Sequence, residues 1–557
     1  MIPRLAVSTF AMAAVATLAL ANLGLAQGPG GGGLPNTPPT PPQNPITPAK
    51  TNLGKVLFWD EQLSSSDTVA CGTCHASRAG GTDGRAGTSP ARVAGPDGQL
   101  NTADDIIGTV GVQHLDTTVL PLWDALFGLD PQITGRWSPP TINAAFNTSQ
   151  FYDGRAGGTF VDPTSGATII LNGASLETQI LQPPVSGVEM GHDGRDWNMI
   201  AGKITNATPM RLAASVPAAL NTWIAGRTYP QLFQEAFGTP DVTPVRIAMA
   251  IATYERALVS NQTPFNQFLQ GVPGVLTQEE ARGEVVFRTQ GRCLVCHPGP
   301  RATDDSFRYT GVRPQNDDLG RFNVTGNPGD RGRMKVPNLL NLELRDRFFH
   351  NGGMATIEQV IDFYNRGGDF TAPNKDPNIV PLGLTPQQRA DLAAFLRRPF
   401  TDQRVAQGLA PFDDPVLYAQ SNRVPTSIGA GTPGANLRTP RMIALEPPYA
   451  GNPGMAFSIV DGTPGKKAIL CISPTQIPGG AVFQGANLYV PTTGLQVVRI
   501  GALNDAGNGR GWGRAQVAIP NNPVLVGTQR TAQWVVIDNV SATQRLAASN
   551  AVQYTIF

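Results

Sequence analysis

Gly283-Glu-Val-Val-Phe287 runs into Cys293-Leu-Val-Cys296-His297, and an earlier stretch repeats the phrase: Gly54-Lys-Val-Leu-Phe58, then Cys71-Gly-Thr-Cys74-His75. Cys-x-x-Cys-His is the attachment sequence of a c-type haem, in which two thiols bond the porphyrin and the histidine ligates iron. One copy alone could belong to a zinc or redox site. Two copies, each led by Gly-x-Val-x-Phe, use four of the five cysteines and two of the five histidines. A single all-cysteine zinc site is the structural alternative, and it leaves the paired histidines without a role. The repeat predicts a mainly α fold with two c-type cytochrome haem domains in series.

The bulk numbers set the frame. A chain of 557 residues has room for several domains and a sizeable core. Its formal net charge of +1 offers no electrostatic footprint for nucleic acid or an anionic membrane. The 62 glycines and 49 prolines predict many loops between short elements.

Residues 1–26 read as a signal peptide: Arg4, an apolar run from Ala6 to Ala21, and a small-residue cleavage site before Gln27. Export to the periplasm or beyond follows, and it suits covalent haem attachment. Residues 27–48 are Gly- and Pro-rich and read as a linker. Helix starts are legible at Thr47-Pro48, running to Asp60, and at Thr243-Pro244, running to about Val259. Thr277 with Glu280 forms a capping box, and Thr385-Pro386 opens a helix through Leu396. The segments 49–270 and 271–405 are the expected haem domains, and 406–424 a linker. From 425 to 557, short runs such as Ala456–Val460, Lys467–Cys471 and Trp534–Ile537 alternate with turn residues, which predicts an all-β sandwich domain. Within it, the unpaired Cys471 reads as a buried small hydrophobe. Asp97–Asp105 looks like a carboxylate-rich calcium loop but lacks EF-hand spacing, so it reads as a solvated turn.

A family resemblance rests on further phrases. Arg136-Trp-Ser-Pro-Pro-Thr-Ile-Asn143, Gln150-Phe-Tyr-Asp-Gly-Arg155, Leu176-Glu-Thr-Gln179, Ala252-Thr-Tyr-Glu-Arg256 and Phe348-Phe-His-Asn-Gly352 follow in order. From about residue 50 to 405 the chain resembles the bacterial di-haem cytochrome c peroxidases and MauG. The resemblance implies an oxidoreductase that reduces hydrogen peroxide at a haem whose proximal ligand is His75. A second haem, ligated by His297, exchanges electrons. Its other ligand is Met in the peroxidases and Tyr in MauG, at the position of Tyr364, with Met334 and Met354 as competing thioethers. Glu189 matches the catalytic carboxylate and Gln179 a distal amide. Tyr152 replaces the Trp between the haems. The resemblance also implies one inter-haem calcium ion. Its ligands here would be Ser138 and the backbone oxygens of Arg345 and Arg347, although Trp137 stands where the family has an Asn ligand.

No histidine follows the first motif closely, which resembles MauG, whose reactive haem needs no displaced ligand. His114 is the first candidate, and His192 lies near Glu189. Two rivals stay open: an ordinary detoxifying peroxidase, and a non-catalytic electron-transfer cytochrome. The implied partners are hydrogen peroxide and an electron donor (a small cytochrome, a cupredoxin or a protein substrate), with the β-domain free to bind another protein or surface.

Overall fold

The computed structural model describes residues 32–85, 92–93, 102 and 105–557. The signal-peptide region and most of Asp97–Asp105 lie outside the described residues. Among those described, no helix is long and apolar enough to cross a membrane. The chain is helical and loop-rich up to about residue 420 and β-rich beyond it.

Six helices organise the first part: α1 (Pro48–Trp59), α2 (Ser175–Ile180), α3 (Pro244–Glu255), α4 (Gln278–Arg288), α5 (Ile357–Asn365) and α6 (Pro386–Leu396). Their starts follow the chemistry of the caps. Thr47, Thr243, Thr277 and Thr385 each accept a hydrogen bond from a backbone N–H of the first turn. Helix α3 ends at Glu255, short of Val259. There the chain is turned by Asn143, whose side chain donates to Ser260 O at 3.0 Å and accepts from Ser260 N at 2.9 Å.

The repeated glycine phrase has a packing cause. Gly54 on α1 lies so close to α3 that an added Cβ would sit 1.9 Å from Ala250 O and 2.9 Å from Tyr254 Cβ. Gly283 on α4 meets α6 in the same way, 2.0 Å from Asp391 O and 2.7 Å from Phe395 Cβ. The partners are four residues apart in both cases, so each glycine fits the same groove of its neighbour. One turn on, Phe58 meets Tyr254 edge-on at 5.2 Å and Phe287 meets Phe395 at 5.5 Å. One crossing is thus built twice.

Each crossing has its own core. The first gathers buried side chains between Leu53 and Leu258, and the second runs from Val259 to Phe400. Both cores draw in segments read as linkers. Leu34 is buried in the second core, and Asn44, fully buried in the first, donates to Glu177 Oε1 at 2.8 Å and Met249 O at 2.9 Å. The described part of 27–48 is therefore a strap across both cores, because Asn44 can satisfy the polar groups it covers. Likewise Val405, Phe412 and Leu417 belong to the first core, and Lys55 pairs with Asp413 at 2.5 Å. Most of 406–424 is packed structure.

In the C-terminal part nine strands form two antiparallel sheets: β1 (Thr426–Ile428), β2 (Arg441–Ile443), β3 (Met455–Gly462), β4 (Lys467–Ser473), β5 (Gln496–Ala502), β6 (Asn504–Asp505), β7 (Gly511–Val517), β8 (Gln529–Ile537) and β9 (Leu546–Thr555). The strand orders are β5-β4-β8-β9-β1 and β6-β7-β3-β2. Alternate residues of both sheets, among them Phe457, Leu470 and Trp534, share one core. That alternation puts Ala468, Leu470 and Ile472 inward and leaves Cys471 half-buried on the other face, so it is not a core residue. The β-region docks firmly on the helices. Tyr418, just before it, donates its N–H to the buried Glu61 carboxylate at 2.7 Å, and its hydroxyl reaches Leu445 O and Glu446 O at 3.1 Å each. Arg514 pairs with Asp116 and Arg441 with Asp130, each at 2.6 Å, and Trp123 faces Trp512 with centroids 6.3 Å apart.

Gly54→Ala and Gly283→Ala should each destabilise the protein by about 1–3 kcal/mol, since the methyl can enter only by pushing the helices apart. Gly202→Ala, on a helix with open space at that position, should instead be neutral or stabilising by about 0.5–1 kcal/mol. Thermal melting of the three variants separates close packing from helix propensity; equal shifts in all three would discard the crossing argument.

Candidate functional site

The first Cys-x-x-Cys-His begins a single helical turn just after the Ser-rich bend. Ser64 Oγ accepts from the N–H groups of Thr68 and Val69, each at 3.1 Å, and Thr73 Oγ1 accepts from Ala70 N at 2.8 Å. Gly72 is required because the Trp59 indole covers it: an added Cβ would lie 2.3 Å from the ring. Cys71, Cys74 and His75 thereby line a cavity of about 980 Å³. The Nδ1–H of His75 donates to Gly81 O at 3.2 Å, which leaves Nε2 bare for a metal. Burial pushes the His75 pKa down, keeping the ring neutral as a ligand must be.

Glu189 and Gln179 line the same cavity. Glu189 stands on a tight turn in which Glu189, Met190 and Gly191 all donate their N–H to Ser186 O. The buried Arg195 clamps that turn, donating to Pro184 O and Met190 O at 3.0 Å each. Burial raises the Glu189 pKa from the ordinary carboxylate range, opposed by the Ser186 hydroxyl and then by Arg155. Gln179 sits on α2, which a buried bidentate pair anchors to α3: Arg256 Nη1 and Nη2 lie 2.8 and 3.0 Å from the two Glu177 oxygens.

The second motif lines a narrower cavity, about 180 Å³, whose lining includes Cys293, Cys296, His297 and Tyr364 of α5. His297 Nδ1–H donates to Ala302 O at 2.8 Å, again leaving Nε2 bare. Burial pushes His297 down to about 4 and raises Tyr364 well above the ordinary phenol value. Met334 also lines this cavity, whereas Met354 does not. The two cavities share a wall that includes Trp137, Ser138, Tyr152, Asp318 and Lys335. The all-cysteine zinc alternative fails here, because the cysteine pairs face different cavities. Among the described residues no group of three or more His, Cys, Asp or Glu could hold a metal ion. Flanking thiols, a bare imidazole Nε2 and an apolar slot fit a c-type haem at each motif.

A family model described as di-haem cytochrome c peroxidase matches residues 48–273. The methylamine utilization protein MauG of Methylorubrum extorquens is 30% identical over 364 residues, covering 65% of this chain and 81% of that protein. The chain belongs to the di-haem cytochrome c peroxidase and MauG family. The cytochrome c551 peroxidase of Nitrosomonas europaea is 28% identical over 390 residues, covering 69% of this chain and 88% of that protein. A solved MauG-like protein associated with microbial copper homeostasis is 24% identical, with a TM-score of 0.48, covering 70% of this chain and 97% of that one.

Within this family frame the candidate residues sort by position. Tyr152 stands in the shared wall, edge-on to His350 with centroids 6.2 Å apart, and burial pushes its phenol up to about 12. His114 lies in neither cavity; it sits at the surface, with Nε2 3.1 Å from Asp193. His192 is also outside, with Nδ1 2.8 Å from Ser65 Oγ. Ser138 is already committed, accepting from Asp83 N at 2.9 Å and donating to Cys74 O at 2.8 Å. Two residues gained roles that the sequence had not suggested. His350 lines the second cavity and Glu255 the first. Glu255 is 3% exposed, its Oε2 has no partner, and burial pushes its carboxyl up to about 8. Both lay inside quoted phrases, and only burial marks them out.

Glu177→Gln should cost about 3–5 kcal/mol, because it strands the Arg256 charge in the core. Adding Arg256→Met should recover part of that loss in a double-mutant cycle. Simple additivity would show that the pair is not what anchors α2.

Proposed function

We propose that the chain is a MauG-like di-haem c-type peroxidase. It reduces hydrogen peroxide in the cavity of Cys71, Cys74 and His75 and draws electrons through the cavity of Cys293, Cys296 and His297. The observation that carries this reading is the asymmetry of the two cavities: an acid and an amide, Glu189 and Gln179, line only the first. The second instead offers Tyr364, whose phenol oxygen would, with His297, serve as a ligand to a bound haem iron. On this reading the two helical cores are the two haem domains, with the change from the first core to the second at Leu258–Val259 rather than at residue 270. The β-region is a separate fold docked on them. Residues 1–26 read as a cleaved signal, placing the protein in the periplasm or outside the cell.

When bound, the haems supply the iron that accepts peroxide and the route by which electrons reach it. The protein supplies the proton chemistry. Converting peroxide to two waters consumes two protons and two electrons, and the first proton must move from one peroxide oxygen to the other. Glu189 can take and return it, since burial brings its pKa up from the fully ionised range. Gln179 orients the substrate by its amide without titrating. Tyr152 fills the wall between the cavities with an aromatic ring. Its high pKa means that removing an electron also requires removing a proton. The donor remains a small cytochrome, a cupredoxin or a protein substrate.

Intact mass spectrometry should show two haem additions, one on each motif peptide. Glu189→Gln keeps size and removes the exchangeable proton, so both haems should stay while peroxide turnover drops by about 10²–10⁴-fold. Unchanged turnover with both haems attached would take Glu189 out of the mechanism. Met334 in the second cavity favours the ordinary-peroxidase reading, and a spectrum decides between the two. Tyr364→Phe should alter the low-spin ferric signal, whereas an unaltered signal hands the ligand role to Met334.

A further inference from the structure

Two arginines that line the second cavity, beside the shared wall, form no ion pair there. The Arg345 guanidinium is buried among neutral acceptors: Nη1 donates to Asn338 O at 3.1 Å, and Nη2 to Leu340 O at 2.7 Å and Asn338 Oδ1 at 3.4 Å. Its Nε, the Nε of Arg347 and the indole Nε1 of Trp137 are buried donors with no partner. All three side chains line the second cavity, and Trp137 lines the first as well. Neighbouring cations are compensated: Arg136 by Asp153 and Asp318, Arg308 by Asp304 and Asp376, Arg313 by Asp317, and Lys335 by Asp305. Among the described residues Arg345 has no such carboxylate, and Arg347 has only its chain neighbour Asp346, which makes no close ion pair with it. The Arg345 stem also packs on Gly80, where an added Cβ would lie 3.1 Å from its Cγ. One side chain thus ties the loop after the first motif to the segment beneath the second.

Calcium does not fit this wall. It needs six to eight oxygen ligands, and Ser138 Oγ is already engaged by Asp83 N and Cys74 O. Trp137 presents an N–H donor rather than an oxygen, and two guanidinium groups repel a cation. Donors that lack acceptors call for an anion, and guanidinium with indole N–H suits a carboxylate.

Resting on the two-haem reading above, we propose that Trp137, Arg345 and Arg347 hold carboxylates of the bound porphyrins between the two cavities. The cluster takes the place of an inter-haem calcium ion, so the enzyme works without one. A fixed cation beside a haem favours its reduced form, so removing that charge lowers the midpoint potential.

The test uses the full-length holoenzyme. Intact mass comes first: fewer than two haem additions would defeat the parent reading and leave the cluster's ligand class a separate matter. With two haems attached, elemental analysis should find calcium far below one per chain. EGTA should leave the absorption spectrum and both midpoint potentials unchanged. Arg345→Met keeps the stem on Gly80 and should shift at least one midpoint potential downward, while Arg345→Lys restores it. Where Arg345→Met does not fold, Trp137→Phe removes only the indole donor and should shift a potential in the same direction. Stoichiometric calcium whose removal changes the spectrum would overturn the proposal. So would unchanged potentials in a two-haem Arg345→Met or, in its place, Trp137→Phe protein.

Discussion

The fold depends on how closely two helices can approach at a glycine. At Gly54 and again at Gly283, a neighbouring backbone carbonyl stands where a Cβ would be. No larger residue allows that approach without moving a helix. The close crossing brings Phe58 and Phe287 onto their partners, and a Cys-x-x-Cys-His follows each crossing in the chain. Because the crossing recurs, the chain has two equivalent platforms, each presenting two thiols and an imidazole to an apolar cavity.

The two platforms diverge through what the intervening segments lay over them. Above the first, a turn held by Arg195 carries Glu189, and α2, held by the Glu177–Arg256 pair, carries Gln179. Above the second, the capped helix α5 carries Tyr364. Glu189 and Gln179 therefore line one cavity and Tyr364 the other, with Tyr152 and Trp137 in the common wall. Beside that wall, in the second cavity, lie the Arg345 and Arg347 guanidinium groups, each with a buried Nε that has no partner.

The C-terminal sheets contribute no residue to either cavity. Their attachment is nonetheless substantial: the Tyr418 hydroxyl on the carbonyls of Leu445 and Glu446, a tryptophan pair and two arginine–aspartate pairs. Three of these contacts use the stretch from Asp116 to Asp130. Shortly before it, Gly111 packs on the Glu189 turn, where an added Cβ would lie 1.9 Å from Val188 O. The β-region thus braces a loop that borders the first cavity.

By itself the sequence determined what short-range chemistry decides. Cap residues marked the helix starts, alternation marked the strands, and repeated motifs marked the haem-binding positions. Glu189, Gln179, Tyr152 and Tyr364 were also legible, because each lies in a phrase with a recognisable frame. Tertiary structure alone decided the rest. The strap through Leu34 and Asn44 and the packed segment at Phe412 and Leu417 look like linker, since proline-rich and irregular composition does not reveal long-range burial. Cys471 looked like core, but its face is set by strand register. Glu255, His350, Arg345 and Arg347 differ from ordinary polar residues only in being enclosed with missing partners or against a cavity. Enclosure is a property of segments distant in sequence, so no local pattern could announce it.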